Sequence, residues 1–291
     1  MKFGQVLTAM VTPFDQQGEV DVNAVKNLVN HLIANGTEGL VVSGTTGESP
    51  TLTTEEKVDL FKLVVETAAG RVPVIAGTGS NNTRASIALT KKAEEAGVDG
   101  IMLVVPYYNK PSQEGLYQHF KAIAETTPLP IMLYNIPGRT SVNMSADTIV
   151  RLSEIDNIVA VKEASGDLDV MAEIIERAPD DFLLFSGDDA LTIPVLSIGG
   201  AGVISVASHI IGNEMQDMIN LFKNGDVQGA AIAHRRLLPI MKGLFSAPNP
   251  TPVKAALNMM RVPVGGVRLP LVALTEEEEQ ALQSLLPGVM V

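Results

Sequence analysis

The strongest constraint on the fold is a series of short, almost wholly apolar runs that alternate with helix-like stretches. Eight such runs, rich in β-branched residues, span 6–11, 39–43, 72–76, 100–105, 130–135, 158–162, 182–186 and 202–206. Apolar and polar residues do not alternate within them, so they predict strands buried on both faces, as in a parallel sheet. The stretches between them place apolar residues on one helical face, as Val22, Val25, Val29 and Leu32 do. The chain therefore reads as a repeated strand–helix unit.

Eight strand–helix units can close into a barrel or form an open doubly wound sheet. An open sheet that binds a dinucleotide carries a G-x-G-x-x-G turn after its first strand, whereas here that strand is followed by Thr12, Pro13 and Phe14. We therefore predict an α/β protein with a (β/α)8 TIM barrel over residues 1–224. A small C-terminal helical domain is predicted over 225–291, with helices at 230–244 and 253–260 and a last one starting at the acidic run 276–279.

Composition excludes several classes of partner and site. The 21 Lys and Arg residues against 33 Asp and Glu give a net charge of −12, which disfavours nucleic acid and anionic membranes as partners. The chain has no cysteine, and its four histidines lack the spacing of metal ligands. No apolar run reaches the roughly 18 residues of a membrane span, and the N-terminus does not resemble a signal peptide, so we expect a cytoplasmic location.

Polar residues that follow the predicted strands are candidates for a site, because the chemistry of a (β/α)8 barrel lies at the C-terminal strand ends. The sharpest signal is Lys162, which ends the sixth apolar run. Desolvation there would lower the pKa of the ammonium group and make the amine a nucleophile toward carbonyl carbons. The structural alternative is a lysine whose amine reaches solvent at the barrel rim.

Other strand ends offer groups that suit an anionic ligand. The loop 43–49 combines glycines with threonine hydroxyls, which suits a carboxylate, although an ordinary turn has the same composition. Arg139 follows the fifth strand and could hold a carboxylate with two hydrogen bonds or form a surface salt bridge. Gly187 leaves room for a ligand, while Asp188 and Asp189 are expected to cap the next helix.

Four segments in order, residues 44–48, 106–109, 134–139 and 162–166, carry a resemblance to a known family. With these motifs the chain resembles the dihydrodipicolinate synthase family of pyruvate-dependent class I aldolases, within the N-acetylneuraminate lyase superfamily. The resemblance extends over essentially the whole chain, including residues 248–254 of the C-terminal segment.

The resemblance implies a condensation of pyruvate with L-aspartate 4-semialdehyde, on the route to diaminopimelate and lysine. Lys162 would form a Schiff base with pyruvate, and no cofactor other than this covalent imine would be needed. Thr45, Tyr134 and Tyr108 would form a proton relay, in which Tyr134 is the general acid and base and Tyr108 comes from a neighbouring subunit. The implied assembly is a homo-oligomer, a tetramer built as a dimer of dimers.

The resemblance also assigns the binding residues. Thr46 would bind the pyruvate carboxylate, and Arg139 would bind the carboxylate of the second substrate. Backbone groups of Gly187 and Ile204 would line the pocket. Members that are inhibited by lysine carry a histidine and a glutamate where this chain has Lys57 and Ala85. We therefore expect weak or absent inhibition by lysine.

Three other functions compete with this interpretation. A sister aldolase, acting on N-acetylneuraminate or on a 2-keto-3-deoxy sugar acid, would share Lys162 and Tyr134, but Arg139 favours the synthase. A binding protein on a catalytically inactive barrel would be expected to lack Lys162 or the tyrosines, and both are present. A metal-dependent aldolase is disfavoured by the scattered histidines.

Overall fold

The computed structural model describes residues 3–286, and all eight predicted strands are present within two residues of their expected ends. They form one closed parallel barrel in sequence order, which confirms the predicted (β/α)8 architecture. The strands are β1 (Val6–Ala9), β2 (Gly39–Val42), β3 (Val74–Gly77), β4 (Gly100–Val104), β5 (Ile131–Asn135), β6 (Ile158–Glu163), β7 (Leu183–Ser186) and β8 (Gly202–Ser205). Closure occurs between β1 and β8, where Leu7 lies opposite Ile204.

Helices follow the strands and form the outer layer. They are α1 (Val22–Ala34), α2 (Thr54–Ala68), α3 (Thr83–Glu95), α4 (Gln113–Ala124), α5 (Pro137–Thr140), α6 (Ala146–Ser153), α7 (Leu168–Arg177), α8 (Thr192–Ser197) and α9 (Ser208–Lys223). Helix α2 starts with a capping box, in which the Thr53 hydroxyl accepts from the Glu56 amide and the Glu56 carboxylate accepts from the Thr53 amide. The capping pattern in the sequence therefore marks the start of this helix.

Two apolar layers hold the barrel together. The larger layer lies between the sheet and the helices, and Leu28, Phe61 and Phe120 are fully buried in it. The smaller layer fills the barrel interior with inward-facing residues such as Leu7, Ile75 and Phe185. Side chains alternate between the two faces of each strand, so every second residue points into the barrel interior. At the C-terminal strand ends this interior layer borders the polar residues.

The predicted C-terminal helices are present as α10 (Val227–Gly243), α11 (Thr251–Met259) and α12 (Glu276–Gln283). Helices α10 and α11 both pack against α9 of the barrel. The boundary between residues 224 and 225 stays a prediction, and residues 287–291 of the predicted domain lie outside the described part. Within residues 3–286, no helix is long and apolar enough to cross a membrane.

Candidate active site

A cavity of about 280 Å³ opens at the C-terminal ends of the strands, where a (β/α)8 barrel carries its chemistry. Three of the predicted site residues, Thr45, Tyr134 and Arg139, line it together. The rest of its wall includes Ser43, Ser49, Lys57, Ser80, Met102 and Tyr107. The cavity thus combines hydroxyl groups and two cationic side chains with a partly apolar wall.

Lys162 lies beside Tyr134 on the neighbouring strand. The two residues are in register on β6 and β5, and the Lys162 Nζ lies 4.3 Å from the centre of the Tyr134 ring. Lys162 is only 6% exposed, and its amine forms no ion pair with any of residues 3–286. The alternative of a lysine reaching solvent does not fit this burial. An amine without a carboxylate partner is available to react with a carbonyl carbon.

The loop after β2 contributes both threonines in different environments. Thr45 lines the cavity, whereas Thr46 is buried and its Oγ1 accepts a hydrogen bond of 2.9 Å from the Asn249 Nδ2. The Thr12 hydroxyl donates to the Gly47 carbonyl at 2.7 Å and fixes the next residue of the loop. Thr46 and Gly47 are therefore held by residues that are distant in the sequence.

Arg139 lies on α5 at the mouth of the cavity. Its side chain is exposed, and it forms no ion pair with a described carboxylate. The surface salt bridge that was the alternative for this residue is therefore not found within residues 3–286. A guanidinium in this position can donate hydrogen bonds to a carboxylate that enters the cavity.

Gly187 packs directly against Lys162. A Cβ atom at this position would lie 3.1 Å from the Lys162 Cε, and the Gly187 amide donates to the Glu163 carbonyl at 2.7 Å. Ile204 is buried in the barrel interior on β8. The structure therefore brings Gly187 to Lys162 and places Ile204 two strands away from it.

The prediction for the aspartates after β7 is right for one and wrong for the other. Asp188 caps the short 3-10 turn that follows, by accepting from the Ala190 amide. Asp189 is instead buried, and its Oδ2 accepts from the amides of Val206 and Ala207 at 3.1 and 2.9 Å. Burial raises the pKa of Asp189. This carboxylate holds the turn between β8 and α9 and does not cap the helix that follows β7.

Sequence reasoning missed a buried polar network behind Tyr134 and Lys162. The Asn135 Nδ2 donates to the Glu163 Oε2 at 2.9 Å, and the Ser165 amide donates to the Glu163 Oε1 at 2.7 Å. Burial raises the pKa of Glu163. The network links the ends of β5 and β6. The available signal was Asn135 as the polar last residue of the fifth run and Glu163 directly after the sixth.

The two adjacent tyrosines after β4 have different positions. Tyr107 lines the cavity, whereas Tyr108 is 88% exposed and is not among the residues that line the cavity of its own chain. The structure therefore does not bring Tyr108 to Lys162 within one chain, and its role from a neighbouring subunit stays a prediction. Among the described residues, no group of three or more His, Asp or Glu side chains is arranged to hold a metal ion.

Comparison with known proteins identifies the family. The Dihydrodipicolinate synthetase family matches residues 2–288. Over 283 residues the chain is 68% identical to 4-hydroxy-tetrahydrodipicolinate synthase 1 of Halalkalibacterium halodurans, covering 97% of this chain and 96% of that protein.

A dihydrodipicolinate synthase structure from Bacillus anthracis has a TM-score of 0.98 and 61% identity, covering 100% of both chains. A structure of the Cyanidioschyzon merolae enzyme with lysine bound has a TM-score of 0.96 and 51% identity, covering 97% of both chains. These matches confirm the resemblance in the motifs: the chain belongs to the dihydrodipicolinate synthetase family, and it is a Schiff-base-forming lyase.

Proposed function

We propose that this chain is a 4-hydroxy-tetrahydrodipicolinate synthase, which condenses pyruvate with L-aspartate 4-semialdehyde. The observation that carries the proposal is the buried Lys162 amine, which forms no ion pair with a carboxylate of residues 3–286 and lies against the Tyr134 ring at the strand ends. The names of the relatives at 60% identity and above support the same reaction. Arg139 at the cavity mouth favours a carboxylate-bearing second substrate.

The proposed reaction uses the amine of Lys162 as the nucleophile. It attacks the keto carbon of pyruvate, and loss of one water leaves an iminium. The iminium accepts the electron pair left when the methyl group loses a proton, so an enamine forms without any cofactor beyond the imine. Tyr134 is the proposed acid and base for these proton transfers, with Thr45 as its relay partner.

Carbon–carbon bond formation and release follow from the enamine. Its methylene carbon attacks the aldehyde carbon of the second substrate, and the aldehyde oxygen becomes a hydroxyl group. The amino group of that substrate then attacks the imine carbon, which closes the ring and returns Lys162 as a free amine. One water leaves in the whole reaction. Thr46 is proposed to bind the pyruvate carboxylate, and Gly187 and Ile204 to line the pocket with backbone groups.

The first test is pyruvate consumption in the presence of L-aspartate 4-semialdehyde. We expect turnover by the wild type and an increase of about 10- to 100-fold in KM for the semialdehyde in Arg139→Ala, since a hydrogen-bonded charged anchor contributes about 1.5–3 kcal/mol. Arg151→Ala is the control, because Arg151 is an exposed arginine paired with Glu114 away from the cavity. No turnover, with pyruvate still trapped on Lys162 by borohydride, would instead favour a sugar-acid aldolase.

The proposal includes a cytoplasmic homo-oligomer, a tetramer in the form of a dimer of dimers, in which Tyr108 completes the site of a neighbour. Its support is that Tyr108 is almost fully exposed and does not line the cavity of its own chain. Mixing Tyr108→Phe with Lys162→Met subunits tests this. Exchange of subunits should restore activity, because each mixed pair contains one site with both residues intact. No gain over the separate variants, with exchange demonstrated, would contradict it.

We further propose that lysine inhibits this enzyme weakly or not at all. Lys57 lines the cavity and is half-buried, and burial lowers the pKa of its ammonium group. A cationic ligand brought beside it would meet a like charge with no acidic side chain at Ala85 to offset it. Activity should therefore be unchanged in millimolar L-lysine and become sensitive in the double variant Lys57→His with Ala85→Glu. Submillimolar inhibition of the wild type would overturn the proposal.

A further inference from the structure

The C-terminal segment contacts the loop that follows β2 at three points. We call residues 45–48 the threonine loop. The Asn249 Nδ2 donates to the Thr46 Oγ1 at 2.9 Å, and the Lys254 Nζ donates to the Glu48 Oε1 at 3.0 Å. The backbone amide of Arg268 donates to the other carboxylate oxygen of Glu48 at 2.9 Å. The threonine loop is therefore tied to residues more than 200 positions later in the chain.

These contacts are shielded from water. Thr46, Glu48, Asn249 and Lys254 are all at least nine-tenths buried. The Lys254 Nζ makes a further hydrogen bond of 2.8 Å to the Thr12 carbonyl. Because buried hydrogen bonds do not exchange readily with solvent, the loop is held in one position at Thr46 and at Glu48.

The direction of the hydrogen bond to Thr46 has a chemical consequence. A threonine hydroxyl has one hydrogen to donate and two lone pairs that accept. The Asn249 amide occupies a lone pair, and within residues 3–286 no acceptor takes the Thr46 hydrogen. That hydrogen therefore remains available for an anionic oxygen of a ligand, and donation from Asn249 strengthens it as a donor.

A second observation at Asn249 also points to a ligand-binding role. Its Oδ1 is buried and has no hydrogen-bond partner in the described chain. A buried amide oxygen without a partner costs about 1–3 kcal/mol, so this side chain is a poor choice for stability alone. A buried polar atom without a partner needs an explanation, and a bound ligand or an ordered water supplies one.

We propose that Asn249 is a positioning residue for pyruvate, which sets the Thr46 hydroxyl as a donor to the pyruvate carboxylate. The C-terminal segment 248–268 is thereby part of the pyruvate site rather than an appendage to the barrel. The inference rests on the proposed role of Thr46. It predicts an effect on pyruvate that does not extend to the second substrate, which a purely structural role would not produce.

The test begins with Asn249→Ala, assayed for both substrates. We expect KM for pyruvate to rise about tenfold, because the Thr46 hydroxyl is no longer positioned to donate to the charged carboxylate, and KM for the semialdehyde to change less than about twofold. Asn258→Ala is the matched control: Asn258 is exposed in the same segment and hydrogen-bonds only to Val264 and Gly265. It should keep the wild-type KM for pyruvate. Equal increases in both KM values for Asn249→Ala would overturn the proposal.

Asn249→Asp provides a second variant of nearly the same shape. A carboxylate can only accept, so it would take the Thr46 hydrogen and place a negative charge near the bound carboxylate. We expect a larger increase in KM for pyruvate than in Asn249→Ala. A purely structural role predicts that the isosteric Asp variant is the milder one, so that result would contradict the inference, even if the Ala variant does not fold.

A double-mutant cycle with Thr46→Val separates this inference from the proposed function. If Asn249 acts through Thr46, Asn249→Ala should raise KM for pyruvate no further in the Thr46→Val background, whereas additive effects would refute the coupling. If Thr46→Val itself leaves KM for pyruvate unchanged, the proposed role of Thr46 fails and the inference falls with it. Wild-type turnover and borohydride trapping on Lys162 would still stand as tests of the function.

Discussion

Replacing Gly187 with alanine should displace Lys162 without removing any side chain of the proposed site. The new Cβ would lie 2.6 Å from the Ala164 Cβ, 3.1 Å from the Lys162 Cε and 3.2 Å from the Glu163 carbonyl oxygen. Carbon atoms in contact prefer separations of about 3.5–4.0 Å, so one side must move by roughly 1 Å. Only the lysine side chain is flexible here, because the Ala164 Cβ is fixed to the backbone directly after β6 and the Glu163 carbonyl belongs to the last residue of β6.

The size of the effect follows from that displacement. The Gly187 amide is hydrogen-bonded to the Glu163 carbonyl, so the two segments cannot separate without breaking this bond. Moving the Lys162 side chain relieves only the 3.1 Å contact, so the 2.6 Å contact with the Ala164 Cβ has to shift the segment that carries both residues, and a misplacement of about 1 Å costs about 100-fold in rate. We expect kcat/KM to fall by about this factor, with a matching fall in the rate of borohydride trapping of pyruvate.

The control for this experiment is Gly138→Ala, because a Cβ at Gly138 meets no heavy atom within 4 Å. It should keep wild-type rates, and circular dichroism should show that both variants are folded. If a folded Gly187→Ala protein traps pyruvate and turns over at the wild-type rate, the packing of Gly187 against Lys162 does not control the site.

Three further changes probe the site and the fold. Tyr134→Phe should lower kcat by about 100-fold or more, as for the loss of a general acid and base, while pyruvate is still trapped; wild-type kcat would exclude Tyr134 from the proton transfers. Lys254→Met leaves Glu48 buried without its counter-ion and should lower the free energy of unfolding in urea by about 3–5 kcal/mol, most of which the added Glu48→Gln should recover. Burial lowers the pKa of the His209 imidazole to about 4. The unfolded chain therefore binds a proton at this imidazole more readily than the folded chain does. The folded protein should lose about 3 kcal/mol of stability as the pH falls from about 6.5 to about 4, and His209→Gln should remove this part of the loss; an unchanged pH dependence would contradict it.

The barrel was predictable because its signals are local. Strands buried on both faces must be apolar throughout, so the eight runs stand out without knowledge of any partner strand. Lys162 was visible for the same reason, since a cationic residue ending such a run is conspicuous. Its place beside Tyr134 follows once the barrel is assumed, because β5 and β6 are neighbours in register.

The contacts that hold the threonine loop could not be predicted, because they join distant parts of the chain. The hydrogen bond from Asn249 to Thr46 spans 203 residues, and no periodicity or spacing encodes it. Lys254 sits in a helix where a charged residue is ordinarily a solvent-facing one, yet it is 1% exposed. Asp188 and Asp189 are adjacent and chemically identical, so only the packing of β7 against β8 decides which one becomes buried.

The most direct test of the account is to identify the lysine that reacts with pyruvate. The described chain contains two buried lysines, Lys162 and Lys254, and burial lowers the pKa of Lys254 to about 8. Borohydride reduction in the presence of pyruvate, followed by peptide mass spectrometry, distinguishes them. The account predicts a single reduced-pyruvate adduct on the peptide that carries Lys162, and none in Lys162→Met. An adduct on Lys254 or on any other lysine, with Lys162 unmodified, would contradict it.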